Sequence, residues 1–181
     1  MAMEIERKFL VRGSDWRQGR PLHISQGYLN RDKARTVRIR IAESRAYLTI
    51  KGPNQGASRR EYEYEIPLHD AKEIMALCEQ PPLEKNRFTV THAGVTWQID
   101  EFLGANAGLV VAEIELANEE QAFQRPRWVS TEVTYEPRYF NSSLPNPMRP
   151  GVRHHLECPG LSHTRRGAAR TLCGGLQPQQ S

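Results

Sequence analysis

The chain has no long apolar run. No segment approaches the roughly 18 consecutive apolar residues of a membrane-spanning helix. Glu4 and Glu6 fall where the apolar core of a secretory signal would have to begin. A cytoplasmic protein without a membrane partner is therefore the expectation. Cysteine is scarce, with only Cys78, Cys158 and Cys173 among 181 residues. An odd count without metal-ligand spacing offers neither a disulfide framework nor a zinc site, and it fits a reducing compartment. A charge excess is also missing where it would matter. The chain is +4 overall, yet residues 1–144 hold 20 Lys+Arg against 20 Asp+Glu, and residues 145–181 hold five Arg against one Glu. Basicity confined to the end of the chain is no argument for a nucleic-acid partner, and none is expected.

What the sequence does have is charge repeating every second residue. In Glu4-Ile5-Glu6-Arg7-Lys8-Phe9, a period of two places Glu4, Glu6 and Lys8 on one face of a strand, with Ile5, Arg7 and Phe9 on the other. Two carboxylates in line repel each other unless a cation sits between them, and Lys8 only partly relieves that. The pattern recurs. Ile24, Gln26 and Tyr28 share a face in His23 to Asn30, and Arg38 and Arg40 oppose Val37, Ile39 and Ile41. Thr49 and Lys51 oppose Leu48 and Ile50, while Arg59, Glu61, Glu63 and Glu65 oppose Tyr62, Tyr64 and Ile66. Lys85 and Arg87 oppose Phe88 and Val90, Gln98 and Asp100 oppose Trp97 and Ile99, and Glu113 and Glu115 oppose Ala112, Ile114 and Leu116. About eight strands result. Asp70 to Cys78 reads as a helix with Asp70 as its N-cap, and Asn118 to Gln121 as a capping box opening a short helix through Phe123. Pro126 to Val129 and Tyr139 to Leu144 read as short helical turns.

Two architectures absorb such strands. An open sheet buries its apolar face and hydrates the charged one. A closed barrel encloses the charged faces and packs its apolar outside against helices. The charges are sorted by strand, arginine and lysine on the third, fourth and sixth, glutamate on the first, fifth and eighth. Sorting of this kind favours faces that meet around a shared space. Charges withdrawn from water need ions or ligands. Carboxylates without histidine or cysteine suit hard cations such as Mg2+ or Mn2+, and clustered Arg and Lys suit phosphate oxygens. Together they describe a site for a metal–polyphosphate complex. The competing possibility is an inert interior in which acids and bases pair across neighbouring strands.

Glu4-Ile5-Glu6-Arg7-Lys8 resembles the Glu-x-Glu-x-Lys signature of the CYTH superfamily, the triphosphate tunnel metalloenzymes. In order, Gln26-Gly27-Tyr28-Leu29, Val37-Arg38-Ile39-Arg40, Leu48-Thr49-Ile50-Lys51-Gly52, Arg59-Arg60-Glu61-Tyr62-Glu63, Lys85-Asn86-Arg87, Ile99-Asp100-Glu101-Phe102, Glu113-Ile114-Glu115 and Arg138-Tyr139-Phe140-Asn141 follow the same pattern. The resemblance spans residues 3 to about 144 and is greatest to short bacterial inorganic triphosphatase-like members. It implies an α+β domain over residues 1–144, an eight-stranded antiparallel tunnel with helices outside. It further implies a small-molecule triphosphate substrate and a homodimer as an assembly to test. By resemblance, Glu4, Glu6 and Glu115 bind a divalent metal, Mg2+ or Mn2+, and Glu61, Glu63, Asp100 and Glu113 complete that site or a second one. Lys8, Arg38, Arg40, Lys51, Arg59, Lys85, Arg87 and Arg138 hold the triphosphate, and Tyr28 with Lys85 serves catalysis. A class-IV-type adenylyl cyclase and a polyphosphate- or nucleotide-binding module without turnover are the alternatives.

Residues 145–181 are of another character. Five prolines, five glycines and the absence of apolar periodicity read as a largely unstructured tail. The abrupt change at Pro145 fits either a solvated tail or a shifted reading frame.

Overall fold

The computed structural model describes residues 3–78 and 80–144; the expected tail lies outside the described residues. Nine strands follow in chain order: β1 (Met3–Val11), β2 (Leu22–Asn30), β3 (Thr36–Ala42), β4 (Arg45–Lys51), β5 (Ser58–Ile66), β6 (Leu83–His92), β7 (Val95–Phe102), β8 (Val110–Glu115) and β9 (Val129–Glu132). One α-helix, α1 (Leu68–Met75), separates β5 from β6. All pairings are antiparallel, in the spatial order β5-β4-β3-β2-β6-β7-β8-β1-β9. Pairing of Glu4 with Arg59, flanked by Met3–Arg60 and Ile5–Ser58, joins β5 to β1 and closes eight strands into a barrel. The closed form is the one the strand-sorted charges favoured.

The outer face carries the main apolar core. Phe9, Trp16, Phe88, Trp97, Ile99, Ile114 and Trp128 cluster over β1, β6, β7 and β8, with Phe123 packed against them. Phe9 is fully excluded from water, a burial that stabilises by roughly 1.5–3 kcal/mol. The cover on this side is loop rather than helix. On the opposite side α1 buries Ala71 against Ile39 and Ala46, while Ile50, Tyr62 and Tyr64 stay 38–56% exposed. The helix docks closely at Gly27, where a Cβ would lie 2.5 Å from Met75 Sδ and 2.6 Å from Cys78 Sγ.

A second apolar cluster forms a floor inside the barrel. Leu83, Phe102 and Val111, with Leu10 packed against them, meet Val133, Tyr139 and Leu144. Each of the first four lies two residues from a charged group on the same strand face: Lys85, Asp100, Glu113 and Lys8. The inward faces of four strands thus switch from charged to apolar at one level.

Three local expectations are corrected. The helix begins at Leu68, not Asp70, with Pro67 as its N-cap and no side-chain cap. Proline presets the entry and has no N–H to satisfy, and Asp70 instead sits in the first turn. Asn118–Gln121 makes local bonds one residue off a capping box, Ala117 N donating to Gln121 Oε1 at 2.7 Å and Glu120 N to Asn118 Oδ1 at 3.1 Å. No helix follows, because Phe123 is the only apolar anchor before Pro126. The expected turn over Pro126–Val129 is present, closed by Val129 N donating to Pro126 O at 3.0 Å, and Val129 also starts β9, because the outer edge of β1 offers pairing at Phe9–Glu132 and Val11–Val129. The expected turn over Tyr139–Leu144 is a 3-10 helix at Pro137–Tyr139 followed by turns.

Candidate active site

The barrel encloses a cavity of about 830 Å³. Its wall includes Glu4, Glu6 and Lys8 from β1, Tyr28 from β2, Arg38 and Arg40 from β3, and Lys51 from β4. Arg59, Glu61 and Glu63 come from β5, Lys85 and Arg87 from β6, and Glu113 and Glu115 from β8. Seven basic and six acidic side chains therefore face one space. They do so because they alternate along their strands with residues that point outside, most of them apolar and packed there, so the barrel's curvature leaves the charged set no other direction.

Acids and bases interleave. Lys8 Nζ bonds both Glu6 and Glu113. Lys51 Nζ lies 3.0 Å from Glu4 Oε2 and 3.0 Å from Glu61 Oε2. Arg59 Nε donates to Glu4 Oε2 at 2.8 Å. Arg40 Nη2 donates to Glu63 Oε1 at 2.7 Å, and Thr49 Oγ1 donates to Glu63 Oε2 at 3.0 Å while accepting from Arg38 Nη2 at 3.1 Å. Glu115 is the exception. It stands directly opposite Glu6 in the β1–β8 register and, among the described residues, is the one wall glutamate without an ion pair. Burial and the neighbouring Glu113 push the Glu6 carboxyl above its ordinary range, outweighing Lys8. Like charges placed opposite one another on a sheet are destabilising unless a cation intervenes. The donor chemistry at Glu4, Glu6 and Glu115, oxygen only, therefore suits a hard divalent cation. Among the described residues no three carboxylates converge on a ready-made metal site, because lysines and arginines stand between them.

Two of the expected site residues are not on the cavity wall. Asp100 is 0% exposed and is taken by cations: Lys85 Nζ at 2.5 Å, Arg87 Nε at 2.6 Å and Arg87 Nη2 at 2.7 Å. Arg87 foremost, then Lys85, holds its carboxyl below the ordinary range despite burial. The Lys85 ammonium is lowered to about 8 by burial, an effect that Asp100 only partly offsets and Arg87 reinforces. Arg138 lies outside the cavity, half-exposed, 3.5 Å from Glu136. The turn around it buries Tyr139 in the floor and sends its neighbour toward solvent. Glu65 is exposed and pairs with Arg45. Arg7 faces outward, bonded through Nε to Glu132 Oε1 at 2.8 Å and stacked near Phe123.

Thr36, Gln98, Thr134 and Asn141 also line the cavity. Thr36 and Gln98 share strand faces with Arg38 and Asp100, so alternation extends to them. Thr134 and Asn141 lie beyond the regular strands, where periodicity carries no signal.

A family model for the CYTH domain matches residues 2–143. The chain belongs to the CYTH family. Within it, the inorganic triphosphatase of Acetivibrio thermocellus is 49% identical over 146 residues, covering 80% of this chain and 94% of that protein. The inorganic triphosphatase of Nitrosomonas europaea is 32% identical over 145 residues, covering 78% and 95%. A crystal structure of an inorganic triphosphatase superposes with a TM-score of 0.58 at 30% identity, covering 86% of this chain and 99% of that one. Among the described residues no helix is long and apolar enough to cross a membrane.

Proposed function

We propose that this CYTH protein hydrolyses inorganic triphosphate, and nucleoside triphosphates secondarily, in a divalent-metal-dependent reaction releasing orthophosphate. The observation that carries this is the wall of seven basic and six acidic side chains around one cavity. With buried Asp100 counted, that set is close to neutral. A bare polyanion gains little from such a site, whereas a polyphosphate arriving with cations matches both halves of it. The sequence relationship to two inorganic triphosphatases supports the same reading.

In this mechanism Lys8, Arg38, Arg40, Lys51, Arg59 and Arg87 hold phosphoryl oxygens from several strands. Water attacks the terminal phosphorus, the bond to the bridging oxygen breaks, and orthophosphate and pyrophosphate form. Charge developing on the equatorial and leaving oxygens meets fixed guanidinium and ammonium groups, so little reorganisation is needed. Tyr28 and Lys85, above the apolar floor, place the attacking water or the leaving oxygen. Glu4, Glu6 and Glu115 would hold the metal, with Glu61, Glu63 and Glu113 completing its surroundings. When bound, a divalent cation, Mg2+ or Mn2+, supplies charge neutralisation for the substrate. Asp100, already saturated by Lys85 and Arg87, is assigned to anchoring those two cations rather than to the metal.

Glu4→Gln and Glu6→Gln should each abolish metal-dependent phosphate release while circular dichroism stays native-like. Undiminished turnover in both variants would sink the proposal.

A further inference from the structure

Gln26 is fully buried, 0% exposed, and the mechanism above leaves it without a task. It stands on β2 two residues before Tyr28, on the same face, and its Nε2 donates to Tyr28 Oη at 3.1 Å. Among the described residues its Oε1 meets no hydrogen-bond partner. Tyr28 reaches the cavity wall and Gln26 does not. An unmet buried amide oxygen carries its desolvation penalty uncompensated, and an apolar side chain of similar shape would fill the place without that cost. What the amide adds is the hydrogen bond to Tyr28.

A phenolic hydroxyl has one proton to give and lone pairs to accept with. With the amide N–H on the oxygen, the hydroxyl's own proton is left for a group in the cavity. Reversing the amide would make Tyr28 donate to Gln26 instead and leave both amide N–H groups buried without the tyrosine as acceptor. Two further contacts fix the pair. The Arg31 guanidinium lies 4.8 Å from the Tyr28 ring centre, and Gly27, between the two residues, is where α1 presses on β2.

We propose that Gln26 is a positioning residue that commits the Tyr28 hydroxyl to donate toward a phosphoryl oxygen of bound polyphosphate. It acts through Tyr28 and does not itself touch substrate. The proposal rests on the phosphohydrolase reading above.

The test is a double-mutant cycle of Gln26→Met and Tyr28→Phe. It measures kcat and KM for inorganic triphosphate with Mg2+, together with the thermal midpoint of each variant. Gln26→Met should lower kcat about tenfold, equivalent to about 1.4 kcal/mol, with KM unchanged within about twofold. Its midpoint should hold or rise, since the unmet oxygen is gone. In the Tyr28→Phe background the same replacement should leave kcat unchanged, because residues acting as one unit are not additive. Equal fractional losses in both backgrounds, an unchanged kcat in Gln26→Met, or a midpoint that falls with kcat would overturn the assignment. A wild-type protein that releases no phosphate overturns the parent reading and this one together. An active wild type with additive losses overturns only the role given to Gln26.

Discussion

Replacing Asp100 by asparagine removes one negative charge from a place where water cannot compensate. The carboxylate is 0% exposed and receives three charge-assisted bonds at 2.5, 2.6 and 2.7 Å. Without it, the Lys85 ammonium and the Arg87 guanidinium stay buried beside each other, with Glu113 at 3.0 Å from Arg87 as the remaining acid in reach. Removing one partner of a buried ion pair costs about 3–5 kcal/mol. For a domain of this size that is a fall of about 6–20 °C in thermal midpoint, at roughly 2–4 °C per kcal/mol. The assay is thermal unfolding by circular dichroism in EDTA. Glu6→Gln is the control of opposite sign. Burial, Glu113 and Glu4 raise the Glu6 carboxyl, so the folded state holds that proton more tightly than the unfolded chain. The stability this gives is present below the ordinary carboxylate range and lost as pH rises through the raised value. At neutral pH, glutamine removes the penalty, and the midpoint should hold or rise. If Asp100→Asn were neutral or stabilising, as expected of a metal ligand relieved of repulsion, its assignment as an anchor would fail.

Two further outcomes follow from the same electrostatics. Lys85 is lowered to about 8 from an ordinary lysine value of about 10.4, so the unfolded chain binds more protons between those limits. That group's contribution to stability should rise with pH from about 8 to about 10.4, and Lys85→Met should flatten that rise in denaturant titrations. Arg7→Ala, which breaks the outer pair with Glu132, should cost about 1 kcal/mol of stability and little turnover, whereas Lys8→Ala should lose most phosphate release. A larger turnover loss in Arg7→Ala would invert the assigned facing of β1.

The barrel was legible because a two-residue period tells which side chains share a space. Glu4, Glu6, Lys8, Arg38, Arg40, Lys51 and Glu113 reach the cavity from that pattern alone. The floor was equally present in the sequence, as Leu10, Leu83, Phe102 and Val111 standing where the next charge was due, but a run of charges draws the eye past its end. Asp100 carries the same signature as Glu113. What separates them is depth, since Asp100 stands directly opposite the floor residue Val111 while Glu113 stands opposite Gln98, and Asp100 is closed off by Lys85 and Arg87 of neighbouring β6. Periodicity ranks faces, not depths. Arg138 rests on the resemblance of Arg138-Tyr139-Phe140-Asn141 alone, because it lies in a 3-10 turn where alternation has no meaning, and its side chain stands beside Glu136 rather than on the cavity wall. β9 went unread because its four residues pair with an edge of β1 that no local signal advertises.

The central claim is metal-dependent phosphate release from a triphosphate held in this cavity. The most direct measurement incubates the purified protein with inorganic triphosphate and, separately, with ATP, in Mg2+, in Mn2+ and in EDTA, and quantifies orthophosphate, pyrophosphate and cyclic AMP. Orthophosphate and pyrophosphate in equal amounts from triphosphate, abolished by EDTA, are the predicted result. Cyclic AMP from ATP, or triphosphate bound and returned intact under every condition, would contradict it.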